Sequence, residues 1–569
     1  MNIRTPIFAF AAIVTPAAIL QADDAPAVNA FNHIVVIYQE NHSFDNLYGL
    51  WGEVNGHRVN GLPNADAPHT KQVQADGETP YTCLLQNDVN LTSPSPLPAT
   101  CSDRYNGAAF PSAFANAPFK IEDYISATDT TCPGMDVSAP SGIAKGSGKA
   151  GGCTRDLAHR FYNEQYQIHE GKQDRYVTGS DAAGLVMGYY DTKKLPIYTF
   201  LHSPGAPNYV IADSFFRAAF GGSFLNHQWL IAAATPVFDK ALNDGSADDL
   251  HAVVDANGMP VSTPLYASPL GPSTKDSSAL TASCNPPARR PATPTNVVCG
   301  DYAVNTIQPF YWPFAPRTAE ARRLPPLIHP TIGDRLTDAH IDWAWYSGGW
   351  SNANGDVGAP GWTNGDGPRC IDPNANLSVE FPRCPDKLFQ FHHQPFNYYS
   401  NYAPGTKARA DHLRDEEEFI LGAKKGTLKP VSFVKLIGEE NEHPGYTDES
   451  EGDGRLVDLI NIIVNGPNGG ETLIIVTYDE FGGSWDHVPP PPHQRQGSSA
   501  LAHDVWGPGT RIPTLLIARK FRHSAVDHAD HDTTSILKLI EERFHLEPLG
   551  SRDKTVESLN TAIAAAEAN

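Results

Sequence analysis

Positive charge is scarce in this chain of 569 residues: 42 Lys+Arg face 64 Asp+Glu, a formal net charge of −22. Nucleic acid and anionic membrane surfaces are repelled by the average field of such a chain, so a polyanion-binding role is excluded unless a local cationic site or a metal reverses the sign. Long apolar runs are lacking too. The one within residues 7–20 is about 14 residues long and broken by Pro16, short of the roughly 20 that span a bilayer. Glycine (47) and proline (48) make up about 17% of the chain, below the roughly 25–30% of low-complexity sequence. No internal repeat or block of like charge occurs. With 40% hydrophobic residues the chain is expected to fold, as one catalytic domain over 23–569 carrying long loop insertions.

Residues 1–22 read as a secretory signal: Arg4 is the positive start, an apolar core follows, and Leu20-Gln21-Ala22 precedes Asp23. Cleavage after Ala22 leaves no membrane segment in the mature chain and sends it to a periplasm or outside the cell. Eight cysteines fall into four neighbouring pairs: Cys83 with Cys101, Cys132 with Cys153, Cys284 with Cys299, and Cys370 with Cys384. That spacing predicts local disulfides, each limiting the unfolded chain by roughly 3 kcal/mol and suited to an oxidising compartment. Zinc is the rival reading, opposed by the lack of any Cys-x-x-Cys or tight Cys/His cluster.

Continuous β-branched apolar runs at 33–38, 209–211, 431–436, 472–478 and 511–517 predict buried strands of a largely parallel sheet. Helical periodicity marks 155–170, 409–423, 454–465 and 533–544. Strands alternate with helices, so the fold class is α/β, with insertions at about 55–154 and 239–330.

The first strand runs into Gln39-Glu40-Asn41-His42-Ser43, and a later one ends in Asp479-Glu480 followed by Phe481-Gly482-Gly483. Open α/β sheets place their sites at the carboxyl ends of strands. Two acidic strand ends side by side form a carboxylate cage that repels itself unless a hard cation occupies it, so one divalent metal ion is expected. The bland alternative is that Glu40 and Asp479 only cap helices or tie loops. Two such ends, one with a Gly-Gly that lets backbone approach closely, favour function.

Six segments carry a family resemblance: "HIVVIYQENHSFDNLYG" from His33, "GSDAAGLVMGYYDTKKLPIY" from Gly179, "FGGSFLNHQ" from Phe220, "FHHQPFNYY" from Phe391, "YDEFGGSWDHVPPP" from Tyr478 and "GPGTRIPTLLIAR" from Gly507. In this order they resemble the bacterial phosphoesterase family of acid phosphatase A and the phosphatidylcholine-type phospholipases C. The resemblance implies an alkaline-phosphatase-like core, one divalent metal and transfer of a phosphoryl group through a serine. It implies Glu40, Asn41, Asp479 and Glu480 as metal ligands, although the family pattern also admits Asp at position 480. Ser180 is implied as nucleophile and ligand, with Thr178 the nearby competitor. His393 and His443 are implied at the phosphoryl group.

By context, His159 and His392 join the substrate-contacting set. Asn226 and His227 either line the pocket or start a helix with Asn226 as its cap. A histidine near its ordinary pKa of about 6.5 is charged in mild acid and could bind phosphate oxygens, which fits an acid optimum. Asp486 and His487 read equally as ligand-orienting or substrate-contacting groups. In the tract from His528 to Thr533, Asp532 or Thr533 reads as a helix cap rather than a ligand.

A small-molecule phosphoester is the expected substrate, a monoester in the first reading. Phospholipase C is the runner-up, in which Trp343, Trp345, Tyr346 and Trp350 could hold a choline-like head group, although core packing accounts for such a cluster as well. A secreted binding protein without turnover is a third reading, opposed by the intact set of Glu40, Asn41, Ser180, Asp479 and Glu480.

Overall fold

The computed structural model of the chain describes residues 26–567 apart from 75–76, 85–100, 106–107, 113, 126–153, 155, 181, 183, 239–301, 377, 492–503 and 505. The expected signal segment, 1–22, and most of the second expected insertion lie outside the described residues.

An eight-stranded sheet forms the centre. In chain order its strands are β1 (His33–Gln39), β2 (Asn208–Ala212), β3 (Trp343–Ser347), β4 (Leu413–Asp415), β5 (Val431–Lys435), β6 (Thr472–Tyr478), β7 (Thr514–Ala518) and β8 (Ala525–Asp527). Their order across the sheet is β4-β3-β5-β1-β6-β7-β2-β8. All neighbours pair parallel except β7, which is antiparallel to both β6 and β2. The α/β expectation with a largely parallel sheet therefore holds.

Helices cover the sheet, which is why β1 and β6 read as unbroken apolar runs: they are buried on both faces. The helix Glu449–Asn465 starts where the Asp448 side chain accepts from the Glu451 amide, and it buries Leu456, Leu459, Ile460 and Ile463. The helix Thr534–Phe544 buries Ile536, Leu537, Leu539 and Ile540. Just before its cap residue Thr533, which makes no side-chain cap bond, Asp532 Oδ1 accepts from the Thr534 amide at 2.7 Å and Asp532 Oδ2 takes Arg552 at 2.9 Å.

Three local expectations fail for identifiable reasons, and the aromatic cluster proves to be core. The stretch 409–423 is two helices, Lys407–His412 and Glu416–Lys425, with β4 between them, because Asp415 accepts from the Glu417 amide and restarts the helix. The helix expected at 155–170 spans only Phe161–Ile168, so His159 precedes it. β7 begins at Thr514 rather than 511, since Pro513 has no N–H for the ladder. The aromatic stretch from Trp343 is β3 and its following turn: Trp343 stacks on His412 at 4.3 Å, Trp345 on Phe433 at 5.5 Å, and the Arg409 guanidinium lies 4.9 Å over Trp350.

Disulfides join Cys83 to Cys101 and Cys370 to Cys384 across Cα separations of 6.1 and 5.9 Å, as the spacing predicted. The other two expected bridges, Cys132 to Cys153 and Cys284 to Cys299, lie outside the described residues, so of the four only these two are seen.

Candidate active site

Three adjacent strands converge at their carboxyl ends. The β1–β6 register pairs Gln39 with Tyr478, so the next residues, Glu40 and Asp479, emerge side by side. β5 on the other flank contributes Lys435. Glu40, Asn41, Asp479, Glu480 and Lys435 are all fully buried. The chain then turns sharply on both sides. Asn41 adopts φ +66°, a left-handed conformation that asparagine tolerates. Gly482, at φ +60°, crosses so close that a Cβ would lie 2.1 Å from the Asn41 carbonyl oxygen.

Hydrogen bonds fix the orientation of Asn41. His443 Nδ1 donates to the Pro444 carbonyl at 2.7 Å, which leaves Nε2 as an acceptor, and Asn41 Nδ2 donates to it at 2.9 Å. Asn41 Oδ1 then makes no hydrogen bond among the described residues, nor do the two oxygens of Asp479 or Oε1 of Glu480. Buried oxygens do not stay unsatisfied without reason. This hard, oxygen-rich set fits a divalent cation. A further group within ligand distance shares Glu40 with His227 and His393. His227 Nδ1 donates to the Ser223 carbonyl at 2.7 Å, so its unpartnered Nε2 presents a lone pair.

The electrostatics point the same way. Burial pushes Asp479 well above the usual carboxylate range, and the charge of Glu40 adds to that. Burial likewise raises Glu480, against the pull of Arg217. Burial acts on Glu40 in the same direction, yet His393 and Lys435 outweigh it and hold this carboxyl well below its ordinary range. His393 Nε2 lies 2.8 Å from Glu40 Oε1, and the Lys435 ammonium pairs with the same oxygen.

The histidines form one wall. His227 and His393 stack at 5.1 Å with their planes 5° apart, and His392 contacts both rings. His159 Nε2 faces Glu480 Oε1 at 3.3 Å, and its ring lies 6.4 Å from that of His443. Burial pushes both His393 and His443 down to about 4. Above that pH they are neutral, so the expectation of imidazolium groups in mild acid is corrected. His443 also spends its free nitrogen on Asn41. Asn226 is neither pocket wall nor helix cap: it lies inside the helix Ser223–Ala232, its Oδ1 accepting from the Ala219 amide at 3.1 Å and its Nδ2 donating to the Gly222 carbonyl at 3.3 Å.

Ser180 and Thr178 are both buried, in different company. Thr178 Oγ1 donates to the Val73 carbonyl at 2.6 Å and takes the Tyr81 hydroxyl at 3.0 Å. Ser180 Oγ accepts from the Ala182 amide at 3.1 Å and donates to no group among the described residues. It hydrogen-bonds none of the cage residues. Its turn packs on the segment after Glu480, with Tyr176 against Phe481 at 6.2 Å and the Trp485 amide donating to the Val186 carbonyl at 2.9 Å.

Asp486 and His487 belong to a buried ion-pair network. Arg511 reaches Asp45 at 3.2 Å and Asp486 at 3.1 Å, while His487 Nδ1 contacts Asp45 at 2.6 Å. They brace the turn rather than face the cage. Sequence reasoning missed Lys435, Arg217 and Glu164. Arg217 pairs with Glu164 and lies 3.5 Å from Glu480. Glu164 in turn accepts from the Thr510 and Gly221 amides. A faint signal existed for Glu164 and Arg217 alone, as charges of opposite sign within otherwise uncharged runs.

Among curated proteins the chain is similar to phospholipase C B of Mycobacterium tuberculosis, 23% identical over 537 residues, covering 90% of this chain and 73% of that one. It is also similar to non-hemolytic phospholipase C of Burkholderia pseudomallei, 27% identical over 177 residues, covering 26% of this chain and 25% of the relative. Among solved structures it overlaps a protein in the alkaline phosphatase superfamily from Vibrio parahaemolyticus (12% identity, 40% of this chain and 51% of that one, TM-score 0.22). It also overlaps the lipoteichoic acid synthase LtaP from Listeria monocytogenes (8% identity, 62% and 67%, TM-score 0.26). Overlaps of that score carry no argument about activity. The family model does: it matches residues 31–547, a span that holds every strand of the sheet and every residue of the cage, so the chain belongs to the phosphoesterase family and is a phosphoric ester hydrolase.

Proposed function

We propose that the chain hydrolyses phosphate monoesters by a two-step displacement through Ser180. The observation that carries this reading is the set of unpartnered buried oxygens on Asn41, Asp479 and Glu480 beside Glu40. These residues would hold one divalent ion, which when bound would draw charge from the phosphoryl oxygens and ease ionisation of the serine hydroxyl. Ser180 Oγ attacks phosphorus in line; the O–P bond forms, the bond to the alcohol oxygen breaks, and the alcohol leaves with a proton. Water then hydrolyses the phosphoserine, returning the serine and releasing phosphate. Ser180 is favoured over Thr178 because the Thr178 hydroxyl is already committed on both sides.

His392 offers a neutral N–H donor to phosphoryl oxygens, whereas the one N–H of neutral His393 faces Glu40 and holds that carboxylate in place. His443 acts through Asn41, holding its amide so that Oδ1 points away from the ring. His159, with 19% side-chain exposure, is placed to pass a proton to the leaving alcohol. The four aromatic candidates for a head-group box, Trp343, Trp345, Tyr346 and Trp350, are packed into the core. That favours the monoester over phosphatidylcholine. The specific observation behind the second reading, phospholipase C, is that relatives of this chain carry that name.

We infer an exported location, supported by the leader-like 1–22 segment and by two disulfides, which suit an oxidising compartment. No helix among the described residues is long and apolar enough to cross a membrane. Release of p-nitrophenol from p-nitrophenyl phosphate and of phosphocholine from phosphatidylcholine, each with added divalent metals, tests the reading. Monoester turnover at least tenfold above lipid turnover is expected, and the reverse ratio establishes phospholipase C instead.

A further inference from the structure

Lys435 is an unusual occupant of its position. It closes β5, an inner strand with every residue buried, and is itself fully buried. An ammonium taken from water is costly unless paired. Its partners all lie at the cage: it pairs with Glu40 Oε1, reaches Asp479 Oδ2 at 4.0 Å, donates to the Gln39 carbonyl at 3.2 Å and stands 5.0 Å over the Tyr38 ring. The other buried cation nearby, Arg217, pairs with Glu164 and reaches the cage only at Glu480, 3.5 Å away. With the charge of Arg217 balanced by that of Glu164, Lys435 is the positive charge left over beside the three carboxylates, next to Glu40 and Asp479.

We propose that Lys435 is a positioning residue, a fixed positive charge that balances the cage so that it can hold a divalent cation and a phosphate dianion together. This rests on the reading of the cage as a metal and phosphoester site. Three carboxylates, one ammonium and one divalent ion sum to zero. Without the ammonium the loaded cage carries a net negative charge, which repels an incoming phosphate. The same loss removes repulsion between the ammonium and the metal. Neutralising Lys435 therefore moves the two affinities in opposite directions, whereas a merely structural defect weakens both.

The full-length chain is titrated with Mn2+, free ion being read by electron paramagnetic resonance, and the Mn2+-loaded chain with inorganic phosphate by calorimetry. Lys435→Met and Lys435→Gln are expected to bind Mn2+ about tenfold more tightly and phosphate about tenfold more weakly than wild type. Lys435→Arg should move both back toward wild type, and Asp479→Asn should weaken Mn2+ binding. If the wild type binds Mn2+ and phosphate, but the neutral variants hold Mn2+ no more tightly or phosphate no more weakly, the assignment is overturned while the reading of the cage stands. A wild type that binds neither overturns both. Two neutral variants that unfold even with Mn2+ present would make Lys435 structural and overturn the assignment as well.

Discussion

Thr178 and Ser180 stand two residues apart, and their hydroxyl protons have different fates. The Thr178 proton is held by the Val73 carbonyl, whereas that of Ser180 meets no acceptor among the described residues. Ser180→Ala should abolish turnover, to below a few per cent of wild type, with an unchanged thermal midpoint. Thr178→Val should instead cost about 1–2 kcal/mol of stability by orphaning a buried carbonyl, and leave kcat within a few-fold. Paired melting curves and progress curves separate the two. At this scale the acidic ends were legible because a fully apolar strand breaking into Glu40-Asn41, or into Asp479-Glu480, is a sharp change in character. Lys435 was not legible: a lysine closing an apolar strand reads as the point where the chain meets solvent. Asn226 was misread because its helix begins at Ser223, three residues before it.

Between residues and the whole lie the turns and strands that aim the cage. Gly482 cannot take a side chain without displacing the Asn41 carbonyl, and its positive φ adds strain for any other residue. Gly482→Ala is therefore expected to cut both divalent-metal affinity and kcat by at least tenfold, as seen by equilibrium dialysis and by steady-state assay. β3 acts more gently. The Trp345 indole donates to the His393 carbonyl at 2.8 Å and so fixes the histidine wall. Trp345→Phe keeps the ring but loses this bond; a fall in kcat of several-fold with about 1 kcal/mol of destabilisation is the expected result, measurable by kinetics and urea unfolding. The strands that bury both faces announced themselves through apolar continuity. β3 did not, since Trp and Tyr suit a ligand box as well as a core. β4 is too short to interrupt the helical period around it.

The stability of the entire molecule carries a pH signature from Asp386. Burial pushes this carboxyl up from 3.8 to about 7, with the Asn352 amide opposing the shift. A group raised in the fold favours the fold fully below its unfolded value, and the advantage is lost as pH rises through the folded one. The window therefore runs from about 4 to 7. Asp386→Asn should match wild type at pH 4 and exceed it by about 1–2 kcal/mol at pH 8, a figure discounted for partial exposure, by urea unfolding at the two pH values.

β1 lies between β5 and β6, whose residues follow it by about three quarters of the chain. During synthesis both edges of this apolar ribbon stay open until the last quarter of the polypeptide arrives, and closure over so long a span is slow. The cradle for the cation is among the last features to exist. An ion held there would accordingly be chosen by the surroundings in which assembly finishes.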